Sequence, residues 1–223
     1  MTPARQAAWL VAFDLDGTLI DSLADLASAA NTMLAQLAPG AAPLSPAEIR
    51  GFVGDGAGKL ASKTLAARGL ASKPEALPVF LEAYRRALLD QTRLYDGVLE
   101  MLDALRPSHT LAVLSNKPGE MCRAILQGLG VADRFARIWG GDDAPKKPDP
   151  AGLSMLVREL GATPATTVMV GDSPNDLRAG RAAGVRGIGV TYGFDPAGVL
   201  AENPELVVRS PAELLGLLRT LRS

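Results

Sequence analysis

Three short apolar runs in this chain each stop abruptly on polar groups that a buried strand could not carry further. Leu10-Val11-Ala12-Phe13 ends in Asp14-Leu15-Asp16-Gly17-Thr18, Leu111-Ala112-Val113-Leu114 in Ser115-Asn116-Lys117, and Val168-Met169-Val170 in Gly171-Asp172-Ser173-Pro174-Asn175-Asp176. Unalternating runs of this length fit strands of a parallel sheet covered on both faces, with polar residues gathered at the strand ends. A fourth polar segment, Lys146-Lys147-Pro148-Asp149-Pro150, lies between the second and third tips. Helical patterns separate the runs, so a Rossmann-like, doubly wound parallel α/β sheet is the economical topology. Ligands of open α/β sheets bind outside the carboxyl ends of the strands, and the four segments are expected to share one crevice there.

The first tip is the most demanding chemically. Asp14 and Asp16, one residue apart, cannot both stay ionised near one another in a low dielectric. A divalent cation removes that objection. With Mg2+ neutralising the pair, one Asp could attack phosphorus while the other handles the leaving-group proton.

Between the first and second tips the pattern is helical throughout. Leu23 to Leu37 places Leu23, Leu26, Ala30, Met33, Leu34 and Leu37 near helical spacing behind Ser22, a good N-cap. Ser45-Pro46-Ala47-Glu48 reads as a capping box that starts a second helix, and Gly54, Gly56 and Gly58 interrupt it. Further helices are expected over 57–67 and 74–90, with no strand between Leu23 and Tyr95. The expected organisation is a core of residues 1–20 and 95–223 and an all-helical inserted cap of residues 21–94, hinged near 20 and 94. From Tyr95 onward helix and strand alternate, ending in a helix capped by Ser210-Pro211-Ala212-Glu213.

Composition narrows the partners. At 223 residues and 48% hydrophobic the chain can bury a large core. A net charge of −1 and the lack of any Lys/Arg cluster longer than a pair offer no field for nucleic acid or for a membrane surface. Ala7 to Phe13 is too short to span a bilayer and reads as the first strand. Cys122 is the sole cysteine, which excludes an internal disulfide and fits a reducing, cytoplasmic setting. His109, in Pro107-Ser108-His109-Thr110, reads as a surface turn residue, and Trp9 and Trp139 as packing.

Asp14-Leu15-Asp16-Gly17-Thr18-Leu19, Ser115, Lys147-Pro148 and Gly171-Asp172-Ser173-Pro174-Asn175-Asp176 together resemble the four ordered motifs of the haloacid dehalogenase superfamily. Asp21-Ser22, Gly54-Asp55-Gly56-Ala57, Tyr95-Asp96-Gly97-Val98, Ser115-Asn116-Lys117 and Thr191-Tyr192-Gly193 resemble its phosphoglycolate phosphatase branch. The resemblance implies a Mg2+-dependent phosphomonoester hydrolase of a small phosphorylated metabolite, working as a monomer or homodimer, with a helical cap closing over the site. It implies Asp14 as the nucleophile that becomes a phospho-aspartate. Asp16 is then the acid and base, with its backbone carbonyl on the metal.

The same resemblance gives Ser115 and Lys147 to the phosphate oxygens, with Thr18 and Asn116 beside them. Lys147 is preferred to Lys146 because of its Lys-Pro pairing. Asp172 becomes a direct metal ligand. Asp176, counted with Asp14, Asp16 and Asp172 in the metal set, acts through a bound water or through Lys147. Ser115 and Asp176 could otherwise serve as helix-terminal caps. Gly54, Gly56 and Lys59, at a helix opening, could receive the far end of a substrate. Sugar-phosphate or amino-sugar-phosphate hydrolysis is the nearest alternative; pyrophosphatase or phosphosugar mutase activity fits less well. A receiver-type phosphoacceptor module lacks both the insertion and Asp16-Gly17-Thr18.

Overall fold

The computed structural model describes residues 9–221. Ala7 and Ala8, expected to open the first strand, lie outside the described residues. Six parallel strands form one sheet in the order β5-β4-β1-β6-β7-β8: β1 Trp9–Phe13, β4 His109–Leu114, β5 Arg137–Trp139, β6 Thr167–Gly171, β7 Arg186–Val190 and β8 Leu206–Val208. The expected doubly wound α/β sheet is present. β1 lies between β4 and β6, where the strand order reverses, so a crevice opens at its carboxyl end.

Alternate residues of β1 enter opposite cores, which is why the run carries no polar residue. Val11 and Phe13 pack with Leu111, Val113, Val168 and Val170 against α5 (Val98–Leu105), α6 (Gly119–Gly128) and α10 (Pro211–Thr220). Leu10 and Ala12 pack with Ala112, Leu114 and Met169 against α7 (Pro150–Glu159). No helix among the described residues is long and apolar enough to cross a membrane.

Between the first and second core strands stand α1 Leu23–Leu37, α2 Pro46–Arg50, α3 Ala57–Ala66 and α4 Ala76–Arg86. Their apolar faces, including Leu26, Met33, Leu60, Phe80 and Tyr84, join the core on that side of the sheet. The capping box forms at α2, where the Ser45 hydroxyl accepts from Glu48 N–H and the Glu48 carboxylate accepts from Ser45 N–H. Entry to and exit from the insertion run side by side as a two-stranded antiparallel ribbon, β2 Ile20–Asp21 with β3 Arg93–Leu94. That corrects the expectation of no strand before Tyr95. Two-residue strands carry no periodicity for a sequence reading to detect.

Buried Asp25, in the first turn of α1, fastens this junction. Its carboxylate accepts from Gln91 N–H, from Thr92 N–H at 2.8 Å and from the Thr92 hydroxyl at 2.7 Å. Asp25→Ala strands all three donors and is expected to cost about 3 kcal/mol in chemical denaturation. A loss below about 0.5 kcal/mol would contradict this anchor.

His109 is not a surface turn residue. It opens β4 opposite Trp9, is 6% exposed, and its Nδ1 lies 2.9 Å from the Ser108 hydroxyl. The strand begins two residues earlier than its apolar run, and burial follows the strand. A further helix, α9 Pro196–Ala201, starts where the Asp195 carboxylate accepts from Gly198 N–H.

Candidate active site

Three carboxylates meet at the carboxyl ends of β1 and β6. Asp14 follows β1 directly, Asp172 follows β6, and Asp176 sits in the first turn of α8 (Pro174–Ala182). Each offers an oxygen within 4.8 Å of the other two, the one group of at least three acids among the described residues with such spacing. Asp14 is 7% exposed, Asp172 3% and Asp176 0%. Buried Lys147 bridges two of them, its Nζ 2.9 Å from Asp14 Oδ1 and 2.6 Å from Asp176 Oδ1. Its contact to Asp14 is chiefly coulombic.

One ammonium among three buried carboxylates leaves an excess of negative charge. Burial first, then the charges of Asp176 and Asp16, push Asp14 up to about 6 against the counter-pull of Lys147. Burial first, then the charges of Asp14 and Asp176, raise Asp172 well above the ordinary range. Burial by itself would lower Lys147, but the coulombic pull of Asp14 and Asp176 outweighs it and keeps the ammonium charged. An all-oxygen cluster short of positive charge suits a hard divalent cation, and the three acids could hold a metal ion.

Close backbone approach makes the cluster possible. Gly17 has φ +84°, and a Cβ there would lie 1.9 Å from Asp172 Oδ2; a Cβ on Gly171 would lie 2.1 Å from Asp176 Cγ. Asp172 is held by Phe194 N–H at 2.7 Å and by the Thr18 hydroxyl at 3.3 Å. The Tyr192 hydroxyl donates to Thr18 C=O in turn. Asp176 accepts from Ser173 N–H and its hydroxyl on one oxygen while the other meets Lys147. It caps α8 and orients Lys147 at once.

A pocket opens beside Asp14 between the sheet and the insertion. Its polar lining is Asp14, Asp16, Ser115, Asn116 and Lys117; α1, α3 and α4 add Leu26, Leu60, Phe80 and Tyr84. Asn116 closes one side, donating from Nδ2 to Gly54 C=O at 2.9 Å and to Lys147 C=O at 2.8 Å. Asn175 also reaches across, to Gly54 C=O and to Asp55.

The model of the haloacid dehalogenase-like hydrolase family matches residues 11–190, which span every strand tip just described. The chain belongs to this family. The hydrolase is 40% identical to a phosphoglycolate phosphatase of Chromobacterium violaceum, covering 94% of this chain and 96% of that protein. With a phosphoglycolate phosphatase of Rhodospirillum rubrum it shares 41% identity over 82% and 80% of the two chains. Among solved structures, one described as a predicted phosphoglycolate phosphatase from Haemophilus somnus superposes with a TM-score of 0.87 at 29% identity, covering 96% of this chain and all of that one. A family hydrolase from Deinococcus radiodurans, with bound phosphate and sodium, reaches 0.75 at 25% identity, covering 95% of each chain.

The hydrolase brings Asp14, Asp16, Ser115, Asn116, Lys147, Asp172 and Asp176 together at one crevice. It places other residues differently. The Asp16 carboxylate stands outside the acidic trio and pairs with Lys117 at 2.8 Å. Thr18 lies behind Asp172 and does not line the pocket. Gly54 and Gly56 line it, but Lys59 does not: its side chain is 68% exposed and stands 3.9 Å from Asp55. A lysine two residues into a helix turns with the helix face, here toward solvent. Ser22 does not cap α1 with its side chain, because its hydroxyl donates to Asp16.

Two residues at the site were not foreseen. Lys117, given no role of its own in the Ser115-Asn116-Lys117 segment, is buried and donates to Asp16 and to the Tyr84 hydroxyl at 2.8 Å. Burial raises the Tyr84 phenol to about 12, so it meets the ammonium as a neutral hydroxyl. The only advance signal was the place of Lys117 in the second strand tip. Nothing along α4 distinguishes Tyr84 from a core aromatic.

Proposed function

We propose that this hydrolase is a Mg2+-dependent phosphatase of small phosphomonoesters, with 2-phosphoglycolate as its substrate. The observation that carries this reading is Asp14, which belongs at once to the acidic trio and to the pocket wall. The names of its relatives and the phosphate held by the Deinococcus structure support it. Asp14 attacks phosphorus in line as the bond to the leaving oxygen breaks. Asp16 gives that oxygen a proton, then takes one from the water that hydrolyses the phospho-aspartate. The Ser115 hydroxyl and the Lys147 ammonium hold the non-bridging oxygens through the spread charge of the transition state.

Asp14, Asp172 and the Asp16 carbonyl would hold Mg2+, with Asp176 acting through Lys147. When bound, the ion supplies the positive charge that lets a dianionic ester approach these acids. Residues 21–94 would serve as a cap hinged at the β2–β3 ribbon, excluding water during transfer. The buried thiol of Cys122 fits a reducing, cytoplasmic setting. A phosphate-release screen with Mg2+ over 2-phosphoglycolate, hexose phosphates, amino-sugar phosphates and pyrophosphate tests the assignment. A clear preference for any of the others overturns the substrate.

A pH dependence follows from Asp14. With its pKa raised to about 6 from 3.8, the folded metal-free protein keeps a proton that the unfolded chain loses earlier. Its contribution to stability is therefore complete below the unfolded value and is lost as pH rises through the folded one. A cation competes with that proton, so metal affinity climbs over the same window. Mg2+ is expected to raise the thermal midpoint more at about pH 7.5 than at about pH 5. A pH-independent shift would contradict this linkage.

A further inference from the structure

The Asp16 carboxylate is clamped. Lys117 Nζ lies 2.9 Å from Oδ1 and 2.8 Å from Oδ2, and the Ser22 hydroxyl also donates to Oδ1. A carboxylate with both oxygens engaged in this way is not free to meet a leaving-group oxygen, as the proposed reaction requires. Lys117 is also the one cation lining the pocket among the described residues, beside the apolar side chains of Leu26, Val53, Leu60, Phe80 and Met121. Its other partner, the Tyr84 hydroxyl, belongs to α4 of the insertion and is neutral.

An ester whose phosphoryl group sits at Asp14, Ser115 and Lys147 brings its bridging oxygen toward Asp16. The next group along the leaving alcohol then faces Lys117. We propose that Lys117 selects substrates carrying a carboxylate one carbon from the ester oxygen, and that this carboxylate draws the ammonium off Asp16. The proposal rests on the phosphatase reading. One ion pair is exchanged for another: Lys117 moves from Asp16 to the substrate and keeps Tyr84 as its acceptor. Asp16, released from Lys117, is free to face the departing alkoxide and then the attacking water. Esters without the carboxylate leave the clamp shut.

The test compares kcat/KM for 2-phosphoglycolate with that for its amide, which has the same size and an uncharged leaving group. The wild-type preference for the acid is expected to be about a hundredfold. In Lys117→Gln it should collapse to within about threefold of unity, and Lys117→Arg should retain at least about tenfold. A wild-type ratio below about threefold overturns the proposal, as does an unchanged ratio in Lys117→Gln. Equal losses on both esters also overturn it, since they mark a residue that only positions Asp16. Should Lys117→Gln not fold, inhibition of the wild type decides: glycolate should compete with substrate and glycolamide should not, and equal inhibition by the two overturns it. Turnover of the amide with no acid preference defeats this proposal alone. Failure to release phosphate from either ester, or from p-nitrophenyl phosphate, defeats the phosphatase reading as well.

Discussion

Asp14→Asn is expected to reduce phosphate-ester turnover by at least about a thousandfold while leaving the protein folded. An amide of the same shape keeps the contacts of the β1 tip but is no nucleophile toward phosphorus. The effect on stability should run the other way. Ionised Asp14 is held against burial and against Asp176 and Asp16, as its raised pKa records. Removing its charge relieves the cluster, so metal-free Asp14→Asn should melt no lower than the wild type above about pH 6. Its gain from added Mg2+ should shrink, because one of the three acids is lost. Steady-state kinetics and thermal melts with and without Mg2+ read both effects; a variant that loses activity only by unfolding would refute the assignment.

Lys147→Met is expected to impair both activity and stability. The side chain is buried, and its ammonium is the cation in contact with Asp14 and Asp176. Methionine fills similar space but leaves three acids without that charge, a change of the kind that costs about 3–5 kcal/mol when one partner of a buried pair is removed. Turnover should fall by at least about a hundredfold, since the transferring phosphoryl group also loses a positive contact. Mg2+ should restore part of the stability and little of the rate. The pair of variants thus separates the roles of anion and cation: one melts no lower and the other melts early, although both are inactive. A Lys147→Met protein as stable as the wild type without metal would contradict the charge balance described here.

Much of this was legible along the chain, for a physical reason. Strands buried on both faces must be uniformly apolar, so the polar residues at their ends stand out. Asp14, Ser115 and Asp172 each follow such a run, and the sheet order brings their strands side by side. The capping box of Ser45 and the N-cap of Ser210, whose hydroxyl accepts from Glu213 N–H, are local hydrogen-bond patterns and were equally readable. What escaped depends on contacts distant in sequence. The β2–β3 ribbon pairs residues separated by the whole insertion, in strands too short for a pattern. Lys117 and Tyr84 meet only once α4 is packed against α1 and α3 beside the β4 tip, and Asp16 meets Lys117 only through the pairing of β1 with β4. His109 was misjudged because its neighbours Pro107 and Ser108 suggest a turn, while pairing with Trp9 buries it. Lys59 was misjudged because helix rotation, not proximity to glycines, sets where a side chain points.

The most direct test of the account is mass spectrometry of the protein quenched in acid during turnover of 2-phosphoglycolate with Mg2+. A phosphoryl group on the peptide that contains Asp14, absent from Asp14→Asn and lost as phosphate is released, is the predicted result. Steady turnover with phosphate attached elsewhere, or with no protein-bound phosphate even when hydrolysis of the intermediate is slowed, would contradict it.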